Sequence, residues 1–514
     1  MKHTLFIALF IFLGNLAFSQ PTIQWQHCYG GSGYEYNPGN VIQTMDGGYV
    51  VVGGTQSDDD QVTGNHYSGQ DDYWIIKISS TGALEWEKCL GGSYADLCSS
   101  VRQTYDSGYI VAGYTASTNG DVTGNHGGNS DAWIVKLSSS GELQWEKCYG
   151  GSKVDGAECI QITADSGYIF VGYSNSNDGD VTGNHGGFDI WVVKLSSSGS
   201  LQWDKCYGGS SDDYCSYLFS NTAIIQTNDG GYIISGNTLS NDGEVSGNHG
   251  GCDIWVVKIS DTGKLEWQQC YGGSGSDVTG DIIQTTDSGY VIAGATTSND
   301  GDVTGYLGST FDSLDGWLLK LSKTGAITWN KTIYIGGQEQ LNSLKQKYDG
   351  SYYVAGTCLG SYGGRDVLLA NLNSSGSIEW IGDYGGSGDD YGTSIVFTND
   401  SCTLVTGYTF SNNNDVSGNH GNTDYWVVKL YKANGINNIT YFNGISIYPN
   451  PANDYLHITD SNFINNIVIT NIVGQIVYSN QCGRQNTDIN VATWQPGLYF
   501  VTINGSETGR FIKE

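Results

Sequence analysis

A unit of about 51 to 64 residues recurs seven times along this chain, and no other feature restricts its fold as strongly. A tryptophan followed by two polar residues and then, in most copies, Cys-Tyr-Gly-Gly-Ser appears at Trp25, Trp86, Trp145, Trp203 and Trp267, with weaker copies at Trp329 and Trp380. A second signature, Asp-x-Trp followed by two aliphatic residues and Lys, falls at Trp74, Trp133, Trp191, Trp255, Trp317 and Trp426. In the sixth copy Leu368 replaces this tryptophan and Asn371 the lysine.

Each unit holds four β-prone runs separated by turn residues. In the second unit these are residues 100–104, 109–115, 131–137 and 143–149, with Asp106-Ser107-Gly108 and a Ser-Ser-Ser-Gly stretch as tight turns and one long polar loop between the middle runs. No stretch keeps a 3.6-residue apolar period, so the fold class is all-β. Seven four-stranded antiparallel sheets point to a seven-bladed β-propeller, because radial stacking buries both faces of each sheet and limits exposed edges. The chain enters with a lone Trp-type strand at residues 23–29 and leaves the last unit without one. That strand is therefore expected to complete the seventh blade, with Trp25 beside Trp426. The order of strand, hairpin turn and Leu-x-Trp resembles the blades of quinoprotein propellers. The resemblance stops at strand order, since no residues here match the cofactor-binding motifs of that family.

Composition sets the surroundings. The chain carries 52 Asp and Glu against 22 Lys and Arg, for a formal charge of −30. Such a charge repels phosphate backbones and anionic bilayers, which excludes nucleic acid as an expected partner. Residues 1–19 read as a secretory signal peptide: Lys2, an apolar run at 5–13, and Ala17-Phe18-Ser19 before Gln20. No later segment approaches the length of a transmembrane helix. Export makes the twelve cysteines possible disulfide partners, and three pairs recur in register: Cys89 with Cys98, Cys148 with Cys159, and Cys206 with Cys215. Cys252 and Cys270 could also pair.

The repeats, residues 20–432 with the entering strand, give way to a linker at 433–444. The last seventy residues, 445–514, carry Tyr448-Pro449-Asn450-Pro451, then Asn471-Ile472-Val473-Gly474, then Gly497-Leu498-Tyr499-Phe500-Val501, and finally Phe511-Ile512-Lys513. In that order these motifs resemble the type A C-terminal sorting domain of the Bacteroidetes type IX secretion system, with Asn471 where the family often has Asp. The resemblance implies a small β-sandwich recognised by the outer-membrane translocon and removed by its sorting peptidase. It also implies a passenger that is released or held at the cell surface.

Chemistry is concentrated in the long loop of each unit. Oxygen-bearing residues stand at positions 1, 3, 5 and 12, with glycine at 6, in three loops: Asp178, Asp180, Thr182 and Asp189; Asp242, Glu244, Ser246 and Asp253; Asn413, Asp415, Ser417 and Asp424. This spacing echoes a calcium loop, although the last ligand is Asp rather than the longer Glu. The alternative is a loop held by its own Asx and Ser/Thr turns. Gly-Asn-His recurs at His66, His126, His185, His249 and His420; a residue repeated in five blades is expected to serve each blade rather than one centre. Strand alternation places the long loops on the same face as the Gly-Gly-Ser connections, and binding is expected there. Blade 6 lacks the long loop and blade 5 is altered, which suggests a ligand groove containing Tyr306, Phe311, Tyr362 and Arg365. No nucleophile elbow, zinc-protease or phosphate-loop motif occurs. The expected protein is an exported, non-catalytic module for a glycan, polymer or protein. A polysaccharide hydrolase and a structural surface protein are the alternatives.

Overall fold

The structure, a computed structural model, describes residues 20–36, 38–67, 69–214, 223–306, 314–335, 337–431, 445–448, 452, 455–471, 475–504 and 506–513. The expected signal peptide and linker lie outside them. Among the described residues every regular element is a β-strand. Contacts divide the chain into two compact units, one of which is Thr22–Tyr431.

That unit is a seven-bladed propeller. Lettering the strands of a blade A to D, the second blade consists of Asp96–Gln103, Tyr109–Thr115, Asp131–Leu137 and Leu143–Tyr149, hydrogen-bonded in sequence order as one antiparallel sheet. The other blades repeat this order. In the first blade, strand A is split into Glu35–Tyr36 and Val41–Gln43. Strands B and C are apolar without alternation, as in Asp131–Leu137, where every residue is buried. Both faces of these strands lie between neighbouring blades, so a period-2 pattern has no role there. Strand D lies at the rim, more exposed at its start and buried at its last two residues, as in Leu143–Tyr149.

The seventh blade closes the ring as expected. Ile23–Tyr29 pairs antiparallel with Asp424–Leu430 and supplies strand D. The register differs from expectation. Trp25 stands opposite Lys429, and Trp426 stands opposite Cys28. Antiparallel pairing sets residues by distance from the turn end, and the two tryptophans belong to different layers of the blade. Trp25 packs instead towards Tyr49 of blade 1, with ring centroids 6.4 Å apart.

Two sets of contacts weld the blades. At the rim, a strand-D tryptophan lies against the C–D turn of the next blade, and a tyrosine reaches the same turn. Trp145 faces Gly199, whose carbonyl accepts the Tyr149 hydroxyl. Trp86 with Gly141 and Trp203 with Gly263 repeat the packing, and Tyr207 donates to the Gly263 carbonyl at 2.5 Å. At the centre, side chains stitch one A strand to the next. Asn40 accepts the Val101 N–H at 2.7 Å, Asp281 the Leu344 N–H at 2.9 Å, and Ser394 the Val41 N–H at 3.3 Å. At these junctions the inner edge of a sheet is thus capped by its neighbour rather than left as a template for another chain.

The tail contains Ile445–Tyr448, Tyr455–Asn471, Ile476–Asn490, Gly497–Ile503 and Ser506–Lys513 in a single five-stranded sheet. Its core gathers Leu456, Ile458, Ile467, Ile469, Ile489, Tyr499 and Val501.

Candidate functional site

The A strands of all seven blades line one central channel of about 650 Å³. A β-bulge interrupts five of them, as between Cys98 and Ser100 or between Ala157 and Cys159, and the extra residue (Ser99, Glu158, Gly280, Asn342 or Thr393) lines the channel wall. Arg102, Lys345, Glu158 and Asp281 bring both signs of charge to this wall. Arg102 donates to Gln161 at 3.0 Å, and Lys345 lies 3.5 Å from Asp281. Sequence reading missed the channel because its lining is divided among seven repeats.

On the long-loop face a second arrangement repeats at each junction between blades. The first residue of strand A, Asp96 in blade 2, accepts the Gly92 N–H at 2.8 Å together with the hydroxyls of Thr115 and Ser117. Burial pushes Asp96 up to about 6 despite these donors. The first residue of strand C, Asp72 in blade 1, takes the His66 backbone N–H at 2.9 Å and its imidazole Nδ1 at 2.6 Å through Oδ2. The other face of the His66 ring approaches Asp121 of blade 2 at 3.4 Å. Burial disfavours the His66 imidazolium, but the hydrogen bond and charge of Asp72 outweigh it and raise the pKa. His126, His185, His249 and His420 bind Asp131, Asp189, Asp253 and Asp424 in the same way. Each histidine serves its own blade, and His126 and His249 also reach the next one, lying 3.7 Å from Asp180 and 3.9 Å from Asp302.

The residues expected to form calcium loops have separate partners. Asp178, Asp242 and Asn413 accept the backbone N–H groups of Ser152, Ser210 and Ser387, tying each loop to the preceding inter-blade connection. Asp180, Glu244 and Asp415 donate their own N–H groups to Gly150, Gly208 and Gly385. Thr182 binds Asp204, Ser246 binds Gln268 and Ser417 binds Gln26, all on the neighbouring D strand. Among the described residues no three His, Cys, Asp or Glu side chains are grouped to hold a metal ion. Of the expected groove, Phe311 lies outside the described residues. Tyr306 packs on the apolar cluster around Trp317 in blade 5. Tyr362 is exposed on blade 6, and Arg365 donates to Gln338 at 2.7 Å and lies over the Tyr391 ring.

In the tail, Gly497 opens a strand opposite Lys513, which is buried, and the Tyr499 hydroxyl donates to the Gln495 carbonyl at 2.7 Å. Tyr448 ends the first strand; Pro449, Asn450, Pro451 and Gly474 lie outside the described residues. Residues 446–514 match the family model of the secretion system C-terminal sorting domain. The tail is a type IX sorting domain. It marks the chain for passage across the outer membrane to the cell surface or beyond, and makes the secretion machinery its partner. Among solved structures, the chain is similar to the WD40 domain of Neurospora crassa Pan2, with 8% identity, a TM-score of 0.41 and coverage of 78% of this chain and 95% of that one. It is also similar to Sqt1 from Chaetomium thermophilum, with 8% identity, a TM-score of 0.41 and coverage of 79% and 99%. Comparison with curated proteins finds no match.

Export under the sorting domain does not bring the expected cysteine pairs together. Cys89, Cys98, Cys148, Cys159 and Cys206 are free thiols, so none of the three recurring pairs is bridged; Cys215 itself lies outside the described residues. Cys270 is also free and does not bridge to Cys252. The reason is topological. Cys89 lies on the outer D strand of blade 1, opposite Trp74, whereas Cys98 lies on the inner A strand of blade 2 and points at the Gly53 carbonyl. The short segment between them crosses the whole width of a blade.

Proposed function

We propose that this exported propeller is a binding module whose ligand occupies the central channel. The observation that carries the reading is the channel itself: one cavity, walled by every blade, with hydrogen-bonding and charged groups of both signs along it. Concave, partly polar cavities of this size favour a small ligand or a chain end over a flat protein surface. A polar extracellular ligand, such as a glycan or the end of a polymer chain, suits a wall containing Asn40, Ser99, Arg102, Asn342 and Lys345. The wall charges favour binding over hydrolysis, since Arg102 and Asp281 are held by neighbouring residues rather than left to move protons. Hydrolysis of a glycan would require two carboxyl groups about 5–10 Å apart flanking a scissile bond.

The test is equilibrium binding of the full exported chain against a glycan array, followed by titration of any hit with Arg102→Gln and Lys345→Gln. The expected result is loss of affinity by about tenfold for each, the cost of one charge-assisted hydrogen bond. Unchanged affinity in both variants would place the ligand elsewhere and defeat the channel reading.

A further inference from the structure

Six buried aspartates at equivalent places in their blades have an oxygen that accepts no hydrogen bond among the described residues: Oδ1 of Asp72, Asp131, Asp189, Asp253, Asp366 and Asp424. All six side chains are fully buried; Asp366 is the second residue of its C strand, Arg365–Leu372, and the other five are the first residue of theirs. Each orphaned oxygen points at the same place, the inter-blade glycine where the next blade's first carboxylate also arrives. A β-carbon on Gly91 would stand 2.5 Å from Asp72 Oδ1 and 2.6 Å from Asp96 Oδ2. One on Gly272 would stand 2.7 Å from Asp253 Oδ1 and 2.5 Å from Asp277 Oδ2, and Gly150 is flanked likewise by Asp131 and Asp155. Any side chain at this position would collide with carboxylate oxygens that converge from two blades.

Burying a carboxylate oxygen without a donor or counter-charge is costly, and the same arrangement is repeated at six junctions. We propose that each junction binds a divalent cation, calcium by the hardness of its ligands, bridging the strand-C carboxylate of one blade to the strand-A carboxylate of the next. Calcium takes oxygen donors at about 2.3–2.6 Å and completes its shell with main-chain carbonyls and water. The site thus differs from the loop spacing legible in the sequence. It uses Asp189, Asp253 and Asp424, but with partners from the following blade rather than with Asp178, Asp242 or Asn413 of the same loop. A ring of such bridges joins consecutive blades on the face that carries the long loops.

The experiment uses the full chain after chelation, with calcium binding followed by calorimetry and equilibrium dialysis and with melting curves in EDTA and in millimolar calcium. Several ions bound per chain, with a melting temperature raised by about 5 °C or more in calcium, are expected. Asp131→Asn and, separately, Asp253→Asn each lower the number of bound ions by one, so failure of one variant to fold leaves the other as the test. Asp178→Asn, in the same loop region but outside the junction, leaves the number unchanged. No bound ion with superimposable melts in EDTA and calcium would overturn the proposal. So would a count reduced by Asp178→Asn and not by the junction variants.

Discussion

Trp426 stands opposite Cys28 in the closing sheet, and its indole N–H donates to Gln26 Oε1 at 2.8 Å, across 400 residues of chain. The ring is therefore shut by the strand Ile23–Tyr29 meeting the last repeat strand of the seventh blade. Removing residues 20–29 strips strand D from that blade and uncovers the edge of Asp424–Leu430, an apolar strand with free backbone groups. The shortened chain should lose its cooperative thermal transition and elute as aggregate in size-exclusion chromatography. A monomeric product with a sharp melt would show that closure does not depend on this strand.

Two glycines of blade 3, Gly199 in the C–D turn and Gly183 in the long B–C loop, separate two costs that a single substitution usually mixes. Gly199 has φ +70, and a β-carbon there would meet the Trp145 ring at 2.8 Å; Gly183 has φ +83 with nothing within 4 Å. Gly183→Ala should cost only the left-handed backbone, about 1–2 kcal/mol. Gly199→Ala adds displacement of a packed indole and should cost about 2–4 kcal/mol in all. Denaturant unfolding of the two variants measures the difference, and equal losses would mean that the indole moves aside freely.

Blade number, the closing strand, the shared face of long loops and connections, and the sorting domain were all legible because each is written by repetition or by motifs in order. Seven copies of two tryptophan signatures allow little else. Register was not legible: Trp25 and Trp426 carry similar local patterns, and nothing local says which layer of a blade each occupies. The cysteine pairs misled for a related reason. Eight residues between Cys89 and Cys98 look short, but they run from the outer edge of one blade to the inner edge of the next. The channel was hidden because its lining is divided among seven blades and includes the extra residue of five bulges, and a bulge leaves no mark in hydrophobic alternation. Asp253 was visible as the end of its own loop, but Asp277, which meets it at Gly272, belongs to the next blade, and no spacing pairs the two.

The tight-turn face predicts how the protein behaves in acid. Lys136 Nζ lies 3.0 Å from Asp106 Oδ2 and Lys194 Nζ 2.9 Å from Asp165 Oδ2, and Lys320 and Lys429 hold Asp287 and Asp400 in the same way. Slight burial raises the pKa of Asp106, but the Thr104 hydroxyl and Lys136 outweigh it and bring it down to about 2; Asp165, Asp287 and Asp400 reach the same level. A carboxyl whose folded pKa lies below its unfolded value of 3.8 binds fewer protons folded than unfolded. Its stabilisation is complete above about pH 4 and is lost as pH falls towards 2. Melting temperature should therefore drop steeply across that window. Because these aspartates are more than half exposed, each Lys→Met variant should flatten the drop only slightly, and the fourfold variant should flatten it clearly. An acid limb unchanged in the fourfold variant would assign it to other groups.

Thiol chemistry tests both the absence of the expected bridges and the access to the channel. Cys28, Cys89, Cys98, Cys148 and Cys206 are buried, and burial pushes their thiols well above the usual range, which suppresses the reactive thiolate. Cys159 differs: it is half-buried and lines the channel. Iodoacetamide at neutral pH should therefore modify Cys159 ahead of those five, as read by peptide mapping, and Cys159→Ser should remove that early adduct. A ligand that fills the channel should protect it. Denaturation without any reductant should then expose Cys89, Cys98, Cys148 and Cys206 to full alkylation, since each is free in the folded chain. If Cys89 and Cys98 stayed unmodified in denaturant until a reductant was added, the two would be bridged, and the inner edge of blade 2 could not lie where it does.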